Sequence, residues 1–293
     1  MSIDLSEILK RNEPLARHTT FGIGGPARLF YEPRTEEEAI EVVRACRRDG
    51  TPLFVLGGGT NLLVRDEGVD GAVVSLRKMK AIRFDGRRAR VEAGASFPRL
   101  VSDGVERRCG GTEGLVGIPG TVGGALVMNA GGKYTEICQF VERVRIVDRD
   151  GAARTLSRDE AGFAYRASRL AEHVVLGADL AFPEGDLEGQ RARLRQIILE
   201  KSRSQPLAAK SAGCIFKNPA PRIAAGRLID EAGFKGMILG GALVSPVHAN
   251  FLVNRRGARA SDVLGLIHDI KTRVRERNGV DLELEIKVWP SEA

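Results

Sequence analysis

The apolar run Leu53-Phe-Val-Leu56 leads straight into Gly57, Gly58 and Gly59, followed by Thr60, Asn61 and Leu62. A strand that empties into three glycines commits the chain to a turn with no side chains on it. Such a backbone can take positive φ and pass close to another group, and its successive N–H groups can form a nest for an anion such as a diphosphate. Two common phosphate-binding patterns are absent: no GxGxxG opens a helix here, and no GxxxxGK[ST] follows the strand. The loop therefore suggests a nucleotide cofactor held by something other than a Rossmann or P-loop site. A plain glycine turn between two strands accounts for the same letters.

A second segment shifts the balance. Residues 117–132 read Gly-Ile118-Pro119-Gly120-Thr121-Val-Gly123-Gly124-Ala-Leu-Val-Met-Asn129-Ala130-Gly131-Gly. Seven of these sixteen residues are glycine or proline, yet Val122, Leu126, Val127 and Met128 are apolar, which solvated linkers are not. The mixture suits a buried loop and a short helix start whose backbone faces a large ligand. A tight, glycine-lined crossing of the core is the alternative. Two such segments in one chain favour a shared cofactor.

With 293 residues, 43% of them hydrophobic, the chain suits two domains with real cores. The net charge of +7 favours anionic partners, but the basic residues are dispersed. The densest set, Arg191, Arg193, Arg195, Lys201 and Arg203, falls on an expected helix and reads as a solvated face. One Trp, three Tyr and no interleaving of basic and aromatic residues argue against a nucleic-acid-binding protein. The four cysteines, at 46, 109, 138 and 214, form no CxxC pair and have no histidine at ligand spacing, so neither a disulfide framework nor a metal site is expected. The chain reads as cytoplasmic and reduced, with no apolar signal region and no run long enough to span a bilayer.

Patterning predicts a short amphipathic helix over 3–10 and a helix after Thr35, with acids early, bases late and Gly50 at its stop. Strands are predicted over 53–56 and near 72–75, 81–84 and 88–92. A helix over Ser96–Cys109 and strands over 141–147 and 173–182 follow. These elements make residues 1–185 an α+β region of two lobes, 1–75 and 76–185. A linker helix over 186–204 leads to a C-terminal α+β domain over 205–293. That domain is predicted to hold strands near 213–217, 238–244 and 250–254 and helices near 223–232 and 260–277. A last strand over Asp281–Trp289 is predicted to turn Leu282, Leu284, Ile286 and Val288 inward and Asp281, Glu283, Glu285 and Lys287 outward.

Chemistry-bearing residues fall in several places. In Ser211-Ala-Gly-Cys214-Ile-Phe-Lys217-Asn218-Pro, Cys214 reads as a nucleophile or proton donor beside two polar side chains, or as a small buried hydrophobe. Tyr165-Arg166 offers a guanidinium fork for a carboxylate or phosphate. His248 reads equally as a base or as a filler of a polar gap. Spacing alone does not separate Glu285 from Glu283.

Taken in order, these motifs resemble the UDP-N-acetylenolpyruvoylglucosamine reductase family. The resemblance runs through His18-Thr-Thr-Phe-Gly-Ile-Gly-Gly-Pro-Ala, the Gly57 loop, Ile118-Pro-Gly-Thr-Val-Gly-Gly and Met128-Asn-Ala-Gly. It continues through Tyr165-Arg166, Ser211–Pro219, Gly226-Arg-Leu-Ile-Asp-Glu-Ala-Gly, His248-Ala-Asn-Phe-Leu-Val-Asn and Glu285. It implies an α+β fold: an FAD-binding part of the vanillyl-alcohol-oxidase (PCMH) type plus a smaller C-terminal substrate domain. It also implies non-covalent FAD, NADPH as reductant, UDP-N-acetylglucosamine enolpyruvate as substrate and UDP-N-acetylmuramate as product. The short stretch after Arg166 is similar to the compact form of the family, which lacks an inserted tyrosine-bearing loop.

By motif position, the resemblance assigns cofactor contacts to Gly57, Gly58, Gly59, Thr60, Asn61, Leu62, Ile118, Pro119, Gly120, Thr121, Gly123, Gly124, Asn129, Ala130 and Gly131. Substrate contacts go to Tyr165, Lys217 and Asn218. Hydride from the flavin is expected at the β-carbon of the enol ether, and a proton at the α-carbon. Arg166 and Glu285 match the family's catalytic arginine and glutamate, groups suited to stabilising charge in the substrate carboxylate. Cys214 stands where much of the family has the serine that donates the proton. Lys287 and Trp289-Pro290 depart from the family's more usual arginine and glycine. Another FAD oxidoreductase on the same fold, such as a lactone or hydroxy-acid oxidase, is the alternative. The Cys214 and Glu285 motifs favour the reductase.

Overall fold

Thr35 opens the first helix as its sequence predicts. The hydroxyl accepts from Glu38 N at 3.2 Å, three glutamates fill the first turn and Arg47 and Arg48 the last, complementing the helix dipole at both ends. The computed structural model describes residues 3–291. Its α-helices are α1 (Glu36–Arg48), α2 (Phe97–Glu106), α3 (Val122–Val127), α4 (Leu187–Ser204), α5 (Ala225–Glu231) and α6 (Ala260–Asn278). Helix α1 buries Ala39, Val42, Val43 and Cys46. That burial pushes the Cys46 thiol up to about 11, so this cysteine is a packing residue.

The chain divides into two units. The first takes Arg28–Gly58 and Gly71–Glu200, with the N-terminal residues up to Arg11. Its five-stranded antiparallel sheet runs Ile82–Asp85, Arg88–Glu92, Val174–Ala181, Val141–Val147, Ala153–Ser157 across the order of pairing. A four-stranded sheet orders Leu9–Pro14, Pro26–Tyr31, Val69–Ser75 and Leu53–Leu56, the last two strands being parallel. Helices α1, α2 and α3 and the sheets share one core, with Phe97, Leu126, Ile146 and Leu170 fully buried. Helix α4 begins in this unit, where Gln190 Nε2 donates to Cys109 O at 2.8 Å.

The second unit takes Asn12–Ala27, Gly59–Asp70 and the chain from Lys201 onward. An antiparallel sheet orders Ser211–Cys214, Phe251–Asn254, Ala242–Val244 and Ile238–Leu239. A parallel pair joins Lys287–Trp289 to Leu62–Val64. Its core holds Phe21, Ile23 and Leu63 together with Ile215, Phe216, Leu252, Ile270 and Ile286.

Three sequence expectations differ from the structure. Residues 12–27 and 59–70 join the C-terminal unit, because Leu62–Val64 pairs with the last strand and Phe21, Ile23 and Leu63 fill the second core. Residues 3–10 form a 3-10 turn over Ser6–Ile8 and then a strand, Leu9–Pro14, rather than a helix. Pairing with the chain at Glu32, whose N–H donates to Ile8 O at 3.0 Å, overrides the weak helical pattern. The last strand is confined to Lys287–Trp289. The residues before it, including Leu282 and Ile286, are buried without forming a continuous strand, and Glu285 is half-buried rather than solvated.

Candidate active site

In the first unit the two glycine-rich segments lie against each other. A Cβ built on Gly58 would stand 2.5 Å from Gly120 Cα, and one on Gly57 would stand 2.9 Å from Thr121 Oγ1. No side chain fits at Gly58, because the obstruction is backbone. The 120–123 segment is in turn strapped to residues 93–97: Phe97 N donates to Gly120 O at 3.0 Å, Val122 N to Ala95 O at 2.9 Å and Gly123 N to Ala93 O at 2.8 Å. Thr121 caps α3 by accepting from Gly124 N at 3.4 Å.

Arg77, which sequence reasoning did not single out, sits behind the first loop. Its Nε donates to Gly57 O at 3.2 Å and its Nη2 to Gly58 O at 2.6 Å. Desolvation pulls its pKa below the ordinary guanidinium value, though the group stays charged. In a trans peptide the N–H points opposite to its C=O. Holding both carbonyls on the arginine side therefore turns the N–H groups of Gly58 and Gly59 the other way. Two N–H groups presented side by side on a side-chain-free backbone suit an anionic diphosphate, so the residues present fit an FAD nucleotide.

The rest of the 117–131 segment divides its work. Gly117 and Pro119 are exposed and Ile118 and Gly120 half-buried, whereas Gly123 packs on Ala93 and Gly131 on Thr135 and Glu136. Asn129 is buried with φ 43°. Its Nδ2 donates to Ala164 O at 3.0 Å and to Glu136 Oε2 at 3.1 Å, and its Oδ1 accepts from Cys138 N at 3.3 Å. Its amide donors are thus committed to protein. Ala130 is buried and its N–H donates to Ala125 O at 2.7 Å.

Tyr165 and Arg166 form the tip of a two-residue turn. Ala164 N donates to Ala167 O at 2.9 Å and Ala167 N to Ala164 O at 3.2 Å. Arg166 carries φ 54°, a left-handed conformation that costs a bulky residue ~1–2 kcal/mol. Tyr165 is half exposed, and the half-buried Arg166 guanidinium lies 5.2 Å from the centroid of its ring.

In the second unit the loop continues as Gly59–Leu62. Thr20 N donates to Gly59 O at 3.0 Å, and Thr20 Oγ1 donates to Ser211 O at 2.7 Å, which gives the His18-Thr-Thr motif a physical role. Asn61 Nδ2 donates to Glu285 O at 3.0 Å and Asn61 O accepts from Lys287 N at 3.0 Å. Thr60 is half-buried and Leu62 buried. Glu285 N donates to Ile215 O at 2.8 Å, fixing Glu285 beside the residue that follows Cys214. Both Cys214 and Glu285 are half-buried. Asn250, unremarked as a residue within the His248-Ala-Asn motif, locks the strand behind Cys214. Its Oδ1 accepts from Phe216 N at 2.9 Å, its Nδ2 donates to Phe216 O at 2.8 Å, and Ile215 N donates to its O at 2.9 Å.

The two glutamates that spacing could not separate now differ. Glu283 has a 72% exposed side chain and pairs with Lys217 Nζ at 2.5 Å, while Glu285 is the half-buried one. Lys217, a residue expected to touch substrate, therefore has an acidic neighbour. Asn218 Oδ1 accepts from Ala225 N at 3.0 Å at the start of α5. His248 is a gap filler: its Nδ1 accepts from Asn250 N at 3.2 Å, and burial and Lys235 lower its pKa.

A family model described as an FAD binding domain matches residues 27–157. The crystal structure of 6-hydroxy-D-nicotine oxidase from Arthrobacter nicotinovorans matches with a TM-score of 0.50 at 22% identity, over 63% of this chain and 44% of that one, a likeness of fold alone. The fold and the glycine cradle thus define a flavoprotein of the FAD-binding class. A second family model, the C-terminal domain of UDP-N-acetylenolpyruvoylglucosamine reductase, matches residues 205–289. The reductase of Moorella thermoacetica is 42% identical over 279 residues, 95% of this chain and 92% of that protein. The crystal structure of the Thermus caldophilus reductase has a TM-score of 0.82 at 40% identity, covering 96% of this chain and 98% of that one. The chain belongs to the UDP-N-acetylenolpyruvoylglucosamine reductase family.

Proposed function

We propose that this chain reduces the enol ether of UDP-N-acetylglucosamine enolpyruvate to UDP-N-acetylmuramate, with NADPH as reductant, FAD as bound cofactor and the cytoplasm as its place of work. The single observation that carries the reading is the bond from Glu285 N to Ile215 O at 2.8 Å, which fixes the backbone of the half-buried Glu285 beside the Cys214 strand. When bound, FAD supplies the hydride that NADPH provides. The residues proposed to hold it are those of the Gly57–Leu62 loop, with Arg77 behind Gly57 and Gly58, and those of Ile118–Gly124.

Hydride added at the β-carbon builds negative charge at the α-carbon and in the substrate carboxylate. Arg166 neutralises that charge with a fixed guanidinium. Glu285 contributes to the same stabilisation while it holds or shares a proton. Cys214 gives its thiol proton to the α-carbon, completing reduction of the double bond, and solvent restores the thiol. Tyr165, Lys217 and Asn218 contribute to holding the nucleotide sugar, with Lys217 exchanging its Glu283 partner for an anionic ligand group. Among the described residues no helix is long and apolar enough to cross a membrane.

The visible spectrum tests the reading. Purified protein should be yellow, bleach with NADPH in the absence of oxygen and regain colour on addition of the enolpyruvyl substrate. Colour that returns only with oxygen would identify an oxidase on the same fold, and colourless protein that takes up no FAD would end the flavin reading.

A further inference from the structure

We infer that Asn129 is a positioning residue for Arg166 rather than a cofactor contact, its amide acting as a strut between the 118–131 segment and the turn that carries the arginine. The inference rests on Arg166 being the catalytic arginine, as proposed above. Three observations carry it. Asn129 is 1% exposed, and both Nδ2 hydrogens are used, one on Ala164 O at 3.0 Å and one on Glu136 Oε2 at 3.1 Å. Ala164 O is the carbonyl that also accepts from Ala167 N across the Tyr165–Arg166 turn, so the strut bears on the hydrogen bond that closes the turn. On the other side Ser168 Oγ donates to Val127 O at 2.8 Å. The turn is therefore clamped on both flanks to residues 127 and 129.

The clamp explains why Arg166 keeps φ 54°. An L-residue at such an angle persists where its surroundings over-determine it, and these two side-chain bonds belong to those surroundings. Asn129 itself takes φ 43°, which aspargine tolerates better than most residues and which aims its amide back across the turn. Glu136 keeps the amide in one orientation: the nitrogen faces a carboxylate, and the oxygen faces the Cys138 N–H at 3.3 Å. An aspartate at 129 would keep the shape but set a second carboxylate against Glu136 and against the Ala164 carbonyl, releasing the turn.

The test compares Asn129→Asp and the milder Ser168→Ala with wild type, each saturated with FAD. The FAD dissociation constant of the apoprotein should stay within about threefold of wild type, as should the rate of flavin reduction by NADPH. Reoxidation of the reduced flavin by the enolpyruvyl substrate should slow by at least roughly tenfold in Asn129→Asp, with a smaller loss in Ser168→Ala, the scale on which misplaced catalytic groups act. Arg166→Ala is measured alongside. If Asn129 works through Arg166, adding Asn129→Asp to Arg166→Ala costs nothing further, whereas general structural damage would add its own loss. Reoxidation at the wild-type rate in both Asn129→Asp and Ser168→Ala, with Arg166→Ala impaired, overturns the positioning role. So does additive loss in the double variant. Wild-type reoxidation by Arg166→Ala overturns the assignment of Arg166 itself.

Discussion

Replacing Gly58 by alanine separates a cofactor cradle from a packing contact. The added Cβ would stand 2.5 Å from Gly120 Cα, 3.2 Å from Gly120 C and 3.2 Å from Thr121 N, where ordinary contact begins near 3.4 Å. All three atoms are backbone, and Gly120 and Thr121 are held by the bonds to residues 95–97, so no side chain can swing aside. The two segments must part by roughly 1 Å, an overpacking strain of ~1–3 kcal/mol. If the cradle absorbs that strain, FAD binding weakens by roughly five- to 150-fold, at 1.4 kcal/mol per tenfold. Titrating FAD into the apoprotein and following flavin fluorescence measures this directly. Gly86→Ala is the control: φ there is 55° with nothing within 4 Å, so it should cost ~1 kcal/mol of stability and leave FAD affinity unchanged. A Gly58→Ala protein that melts earlier but binds FAD within about twofold of wild type would refute the reasoning, since the segments would then meet for packing alone.

Arg77→Met removes the donor to the Gly57 and Gly58 carbonyls and should raise the FAD dissociation constant about ten- to 100-fold, read by the same titration. Cys214→Ser should retain turnover within about tenfold of wild type. Cys214→Ala should still accept reducing equivalents from NADPH while losing roughly 10²–10⁴ in the second half-reaction, separable by stopped-flow absorbance. Glu285→Ala should lose roughly 10²–10³ in the second half-reaction and Glu283→Ala almost none, and equal effects would remove the distinction that burial draws between them. His248 has a folded pKa below its unfolded value of about 6.5. Its neutral form supports the bond from Asn250 N, so that stability is complete above pH 6.5 and is lost as pH falls towards the folded pKa. Thermal melts of His248→Gln should show a flatter slope than wild type just below pH 6.5.

The parts of the fold that were legible in the sequence are those fixed by neighbours along the chain. Thr35 and its three glutamates specify α1, and the strands Leu53–Leu56, Arg88–Glu92 and Val141–Val147 fall where their patterns place them. Both glycine segments could be read as unusual, but their letters do not say that each is glycine on the other's account. That follows only from the 2.5 Å between a Gly58 Cβ and Gly120 Cα. The grouping of Leu62–Val64 with the C-terminal unit was not legible, because its partner lies far away in the chain, and the N-terminal strand was hidden by a weak helical pattern that pairing with Pro26–Tyr31 overrides. Arg77 left no signal either: one arginine after a strand is ordinary until two carbonyls are found on its guanidinium.

Glu285 shows why a site can be named in sequence yet understood only in three dimensions. Strict alternation puts Glu283 and Glu285 on one polar face, and a regular strand would expose both alike. The chain is not a regular strand there. Lys217 N bonds Glu283 O at 2.9 Å and Glu285 N bonds Ile215 O at 2.8 Å, so the stretch follows the Cys214–Lys217 segment before it pairs with Leu62–Val64. That detour leaves Glu283 in solvent with Lys217 and half-buries Glu285, whose carbonyl is held by Asn61 at 3.0 Å. The backbone of Glu285 is set from one side by the segment that carries Cys214 and from the other by Asn61 of the glycine loop. The departures at Lys287 and Trp289-Pro290 lie beyond this point. Lys287 and Trp289 pair with Leu62 and Val64 through backbone bonds that do not depend on the side chain, so the change at Lys287 leaves that pairing in place.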